Sequence, residues 1–293
     1  MSPVQDVEPR HSPGRTTSPA DGIRLSRLLR GLLGIDLPPS KAATVHHKLS
    51  GRIRQLGLAT LGEYLDVIEG SGGRRERDIL ISAATTNVTQ FFREAHHFEF
   101  LELEVLPALV ARARQGARIR VWSAGCSTGQ EPYSLAACIL ALCPEARDLD
   151  VRILATDVDQ QVLGQAEQRS YPAEELQQLS PCRQSALFGH VSGAGPAIVR
   201  DEVSSLVTFN RLNLIDNWPM RRGFDIIFCR NVAIYLDRGV RERLWRRFAD
   251  ALNDAGYLII GHSERVLGPA LDCLEHVGIT AYRKRAARPS VQP

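Results

Sequence analysis

The run Val121-Trp122-Ser123-Ala124-Gly125-Cys126-Ser127-Thr128-Gly129-Gln130-Glu131-Pro132-Tyr133 narrows the choice of fold more than any other stretch of the 293 residues. An apolar strand enters a glycine-rich turn, and a helix leaves it. That is the first unit of a nucleotide-binding α/β domain, whose ligands lie beyond the carboxyl ends of the strands. The downstream pattern agrees. Strands are expected at 118–124, 151–155, 206–210, 224–229 and 256–260, with helices at 132–142, 160–167 and 238–252. Strands alternating with helices imply a mostly parallel sheet. Before residue 118 only helical periodicity is found. Leu25, Leu28, Leu29, Leu32 and Leu33 make one apolar stripe, and Val45, Leu49, Ile53 and Leu56 make another. The expected fold class is therefore α/β: a small all-α N-terminal domain (22–95), then a Rossmann-like domain (96–287). A small β-subdomain is expected inside the second domain at about 176–210. Residues 1–21, rich in Pro, Ser, Thr and Arg, read as a disordered tail, and 288–293 as a short C-terminal tail.

Composition removes several classes. With 44% hydrophobic and 24% charged residues the chain is neither wholly disordered nor collagen-like. No apolar run reaches the ~18 residues a membrane span needs. The first residues lack the apolar core of a secretory signal, so a cytoplasmic protein is expected. The six cysteines form no C-x-x-C pair and read as reduced, mostly buried small hydrophobes, with no metal site expected.

The turn admits competing chemistries. Gly125-Cys126-Ser127-Thr128-Gly129 matches the G-x-S-x-G of hydrolase nucleophile elbows, with Asp225 and His262 following in order. An elbow, however, sits after several earlier strands, and here the turn follows the first. Asp157, ending the second strand, suits the two hydroxyls of a ribose, a device shared by NAD enzymes and S-adenosylmethionine (SAM) methyltransferases. The phosphate-binding G-x-G-x-x-G is missing. Glu131 lies where a pyrophosphate would, and a bare carboxylate would repel it. A cationic, phosphate-free cofactor fits better, which favours SAM over NAD.

Four blocks then resemble the chemotaxis receptor methyltransferases, the CheR family. They are Thr85-Thr86-Asn87-Val88-Thr89-Gln90-Phe91-Phe92-Arg93-Glu94, Val121–Ser134, Phe224-Asp225-Ile226-Ile227-Phe228-Cys229-Arg230-Asn231-Val232, and Gly261-His262-Ser263-Glu264. The resemblance covers residues 23 to about 284. It implies methyl transfer from SAM to glutamate side chains of membrane chemoreceptors, giving glutamyl methyl esters and S-adenosylhomocysteine. It further implies SAM contacts at Asn87, Thr89, Arg93, Gly125, Glu131, Asp157, Asn213, Leu214, Arg230 and Asn231, with Arg93 and Tyr235 near the transferred methyl. His96 and His97 read as packing or solvent-facing, and His262 as structural.

Partners are read from charge. Residues 21–61 carry seven basic and two acidic side chains. Lys41, Lys48 and Arg52 form a stripe beside the apolar face of the second helix, the right sign for docking a Glu-rich helical bundle of chemoreceptors. Nucleic acid is not expected, because Asn231-Val232-Ala233-Ile234 is not the N-P-P-Y type of amino-methylating DNA enzymes. In some relatives the inserted subdomain docks a receptor's C-terminal pentapeptide. Here the turn 189–196 looks too short and contains Pro196, so no such tether is expected. A methyltransferase with another substrate, and a non-catalytic SAM sensor, remain alternatives.

Overall fold

The computed structural model describes residues 17–70, 73–189 and 195–286. The chain divides into two compact units at Ala84/Thr85.

The first unit is helical: α1 (Pro19–Leu33), α2 (Pro39–Gln55), α3 (Leu61–Glu69) and α4 (Arg74–Ala84). Ser18 caps α1 by accepting the amide of Asp21, and Gly34 closes it in a left-handed conformation. The helix thus begins inside the stretch expected to be a tail, because a Ser-Pro pair is a good helix start. Thr60 caps α3 in the same way. Leu25, Leu29, Leu49, Ile53, Tyr64, Leu65 and Leu80 make the buried seam.

The second unit holds α5 (Ala95–Phe100), α6 (Leu106–Arg114), β1 (Ile119–Ala124), α7 (Gln130–Leu142), β2 (Val151–Asp157) and α8 (Gln160–Gln168). Then come β3 (Ser170–Tyr171), α9 (Ala173–Leu176), α10 (Pro181–Phe188), β4 (Ala197–Ile198), α11 (Asp201–Ser204) and β5 (Val207–Arg211). The last elements are β6 (Phe224–Cys229), α12 (Arg238–Ala251), β7 (Leu252–Ile260), β8 (Leu274–Gly278) and β9 (Ala281–Lys284). The main sheet runs β5-β2-β1-β6-β7-β9-β8. Its first five strands are parallel, and β9 and β8 close it antiparallel. The strand order reverses between β1 and β6, so a crevice opens at their carboxyl ends.

Three differences from expectation have physical causes. The boundary between units precedes residue 95 because residues 85–94 are sewn into the sheet unit. Asn87 donates to Asp159 (3.0 Å), Ser127 Oγ donates to the Asn87 carbonyl (3.0 Å), and the Phe92 amide donates to Ser134 (3.0 Å). The segment expected as a β-subdomain holds α10 and α11, and β4 pairs with β3, which lies before it. Its turn at 190–194 lies outside the described residues. Finally, β8 and β9 were not foreseen; short and partly exposed, they lack a clean alternation of apolar and polar residues.

Among the described residues no helix is long and apolar enough to cross a membrane.

Candidate functional site

The carboxyl ends of four parallel strands bring most of the expected residues to one rim. Gly125 follows β1, Asp157 ends β2, Asn213 and Leu214 follow β5, and Arg230 and Asn231 follow β6. Tyr235 is half-buried in the short 3-10 turn Ala233–Tyr235.

The glycines of the turn answer to packing as well as to any ligand. Gly125 has φ +86°, and a Cβ there would lie 2.4 Å from Val232 Cγ2. Gly129, φ +95°, faces Ala166 and the Tyr171 hydroxyl, both under 3 Å from an added Cβ. Both positions therefore need glycine to let the turn touch its own neighbours. The Gly125 and Cys126 amides both donate to the Thr156 carbonyl, at 2.8 and 2.9 Å, which pins the turn to β2.

Asp157 is buried and partly satisfied. Its Oδ2 accepts the Ser127 amide (2.9 Å) and its Oδ1 the Asp159 amide (3.0 Å). Each carboxylate oxygen has a second lone pair left for a ligand hydroxyl. Burial pushes this carboxyl above the ordinary range, and the amides of Asp159, Ser127 and Val158 partly offset that. Asp159 beside it caps α8 through the Gln161 amide and accepts from Asn87 and Thr85. The Asn87 side chain is thus engaged in positioning its own segment. Thr89 is half-buried, and Arg93 donates to the Val88 carbonyl (2.9 Å). Asn213 Oδ1 accepts the Ile215 amide (3.3 Å), and the Leu214 carbonyl accepts Arg247 (2.7 Å), so both hold the loop after β5.

Sequence reasoning treated Glu131 as a bare carboxylate. The structure corrects that. Arg230 Nε donates to Glu131 Oε2 (2.7 Å), while Ser123 donates to Oε1 (2.7 Å). The Arg230 guanidinium also bonds the Arg93 carbonyl, lies 3.2 Å from His97 Nδ1 and 3.7 Å from Glu94, and sits over the rings of Phe98 and Phe228. Its side chain is 2% exposed. Repulsion of a pyrophosphate by Glu131 alone therefore does not hold. The cage as a whole still favours a cation, because Glu131 and Glu94 outnumber Arg230. Glu94, His96 and His97 bring ligand atoms within 4.8 Å of one another, and Arg230 already supplies the positive charge there.

Glu94 and Glu264 are members that sequence reasoning left without a role, and His97, read as packing or solvent-facing, proves to be buried in the cage. Burial pushes the Glu94 carboxyl up, but a hydrogen bond from His262 and the charge of Arg230 outweigh it and hold the group below its ordinary range. Glu264 accepts the amides of Gly261 (2.7 Å), Asn231 (2.9 Å) and Ile234 (3.2 Å), clamping the loop after β6 to the loop after β7. Asn231 is held at φ +59° by this clamp. Burial raises the Glu264 carboxyl. The available signal was position: all three lie within or beside the quoted blocks.

His97 is buried beside Arg230, and desolvation and then that charge lower its pKa from 6.5 to about 3. Arg230 can only donate, so Nδ1 accepts and the Nε2 proton goes to the Ile279 carbonyl and Thr280. The unfolded chain takes up a proton below pH 6.5 and the native His97 does not, so this residue costs stability as pH falls. Between pH 7 and 5 the loss is about 2 kcal/mol at 1.36 kcal/mol per pH unit. His97→Gln is expected to be less stable at pH 7, with the gap to wild type narrowing by about 2 kcal/mol at pH 5 in urea unfolding. A gap independent of pH would show that His97 titrates normally.

The hydrolase alternative fails on geometry. Ser127 Oγ donates to the Asn87 carbonyl, and His262 Nδ1 bonds Glu94 (3.0 Å). Asp225 sits at the opposite end of β6, accepting the Arg120 amide (2.8 Å).

Comparison with known proteins gives the family. The model of the CheR methyltransferase SAM binding domain matches residues 87–282, and that of the CheR methyltransferase all-alpha domain matches residues 20–85. The chain belongs to the CheR methyltransferase family. Over 252 residues it is 46% identical to a Rhizobium etli protein named "Probable chemotaxis protein methyltransferase", covering 85% of this chain and 94% of that one. It is 41% identical over 246 residues to the chemotaxis protein methyltransferase of Klebsiella aerogenes, covering 82% and 81%. With the Escherichia coli protein of the same name it shares 39% over 246 residues, 82% of each chain. This CheR-family protein is thus a SAM-dependent chemotaxis protein methyltransferase. Its rim fits that cofactor: the buried Asp157 carboxylate keeps spare lone pairs for ribose hydroxyls, and Glu131 and Glu94 around Arg230 suit the ammonium of the zwitterionic amino-acid end.

Proposed function

We propose that the enzyme methylates glutamate side chains of membrane chemoreceptors, working in the cytoplasm at receptor clusters, and so serves chemotactic adaptation. The observation that supports this reading best is the cage of Arg230, Glu131, Glu94 and His97 next to the turn after β1, in a chain of this family. SAM supplies an electrophilic methyl on a sulfonium. The residues of the chain do the rest. Asp157 holds the ribose hydroxyls through its free lone pairs. Glu131 and Glu94 favour the methionyl ammonium, and Gly125, Asn213, Leu214, Arg230 and Asn231 shape the remaining walls. Asn87 and Thr89 close the site from the 85–94 segment.

A glutamate carboxyl has a reference pKa near 4.3, so the substrate arrives ionised and needs no base. Arg93, with donors beyond the one spent on Val88, steers the incoming carboxylate, and Tyr235 borders the reacting methyl. Alignment alone can lower the barrier by roughly 7–11 kcal/mol. The carboxylate loses its charge on methylation, so Arg93 must hold it loosely.

Docking rests on the N-terminal unit, and here the expected stripe is shortened. Arg52 is committed to Glu76, with Nε–Oε2 at 3.0 Å and Nη2–Oε1 at 2.5 Å, and Tyr64 also donates to Glu76 (3.1 Å). Its helical position looked external, but the partner comes from α4. Lys41 and Lys48 are exposed and carry the docking proposal.

The test is methyl transfer from tritiated SAM to receptor-bearing membranes. Label should enter the receptor and leave as methanol in mild alkali, as an ester does. Alkali-stable label would mean transfer to nitrogen and sink the glutamate reading. Lys41→Glu with Lys48→Glu should cut the rate severalfold at low salt, with SAH affinity kept, and the wild-type rate should fall as salt screens the contact. Unchanged rates would remove the basic face from docking.

A further inference from the structure

At the other end of the sheet lies a cleft of about 330 Å³. It is walled by Arg118, Arg120 and Arg152 from the starts of β1 and β2, and by Arg221 and Arg222 just before β6. Leu154 and Met220 are half-buried in its floor, with Ile153 and Phe224 behind them. β1 spans six residues, so about 20 Å separates this cleft from the rim that holds Gly125 and Arg230.

The charge here is poorly compensated. Asp150 pairs with Arg120 (2.5 Å), and the other nearby carboxylate, Asp225, accepts the Arg120 amide and pairs with Arg112 (3.3 Å), which leaves two carboxylates against five guanidinium groups of the cleft. Arg118 donates to the Gly223 carbonyl (3.0 Å), and Arg152 to the carbonyls of Leu149 and Val151. Carbonyls satisfy guanidinium protons without cancelling their charge. Arg221 and Arg222 make no ion pair among the described residues. Burial, and then repulsion from Arg120 and Arg222, pulls the Arg118 pKa down, as expected where like charges crowd together. A polyanion entering the cleft would relieve that repulsion.

We propose that this cleft binds a phosphorylated nucleotide. Guanidinium forks match phosphate oxygens two at a time and stack on flat rings. The volume sits at the low end for small-molecule pockets, the size of one mononucleotide. The apolar floor gives a base something to cover, which inorganic phosphate would leave wet.

Calorimetry on the full chain, with ATP, GTP and inorganic pyrophosphate as probes and SAH saturating, decides the matter. A nucleotide should bind more tightly than pyrophosphate. Arg221→Ser with Arg222→Ser should weaken it at least about tenfold, through the loss of two charge-assisted contacts, while SAH affinity stays within about twofold. Arg152→Ser should weaken it as well, and this exposed site is a second probe should the first variant melt early. No nucleotide binding at about 1 mM would overturn the proposal, as would pyrophosphate binding equal to ATP or nucleotide binding unchanged in both variants. Polyglutamate binding in place of nucleotide would assign the cleft to an acidic protein and overturn it too.

Discussion

Arg230→Met is expected to destabilise the sheet unit by about 3–5 kcal/mol, the cost of removing one partner from a buried ion pair. Arg230 Nε is the donor that compensates Glu131 Oε2, and the same guanidinium faces Glu94. Methionine would fill much of the volume between Phe98 and Phe228 but leave both carboxylates in a poorly hydrated place. Glu94, which the charge of Arg230 helps hold below its ordinary range, should then move up, so the native variant would bind protons more readily than its unfolded chain. Its stability should therefore increase as pH falls from 7 toward 5, relative to wild type. Adding Glu131→Gln should recover part of the loss, because an amide can still accept from Ser123 without burying a charge. Urea unfolding of the four proteins of this cycle at both pH values measures all of this. A loss below about 1 kcal/mol, or additive single effects, would show that the cage carries little coupling.

Gly125→Ala is the second large effect. A left-handed φ of +86° costs an L-residue about 1–2 kcal/mol, and the new Cβ would meet Val232 Cγ2. Overpacking adds about 1–3 kcal/mol, so a total of about 2–5 is expected. SAM affinity should fall with stability, since Val232 adjoins Asn231. Gly125→Ala with Val232→Ala should restore the steric part and leave the conformational part. Equal stability of the single and double variants would show that Val232 is not the obstacle.

Much of this architecture could be read before any coordinates. A period of 3.6 marked α1 and α2, and short apolar runs marked the parallel strands, whose central members are buried on both faces. Asp157 could be placed since a strand end is a local feature. Arg52 could not be understood that way. On the α2 helix it reads as one more exposed cation, and its partner Glu76 is on a helix two elements later.

The same limit separates what the chain's order determines from what folding decides. The strand–glycine turn–helix unit, the α/β class and the placing of Gly125, Glu131 and Asp157 follow from short-range patterns, while the other rim residues were implied by the family resemblance. The roles within the rim do not follow from such patterns. Glu131 and Arg230 are 99 residues apart, and Arg230 and His97 are 133 apart. Which carboxylate is neutralised, which imidazole is kept uncharged, and which glycines are needed for packing depend on side chains brought together by the sheet. Those are desolvation and pairing effects, and they exist only once water has been excluded.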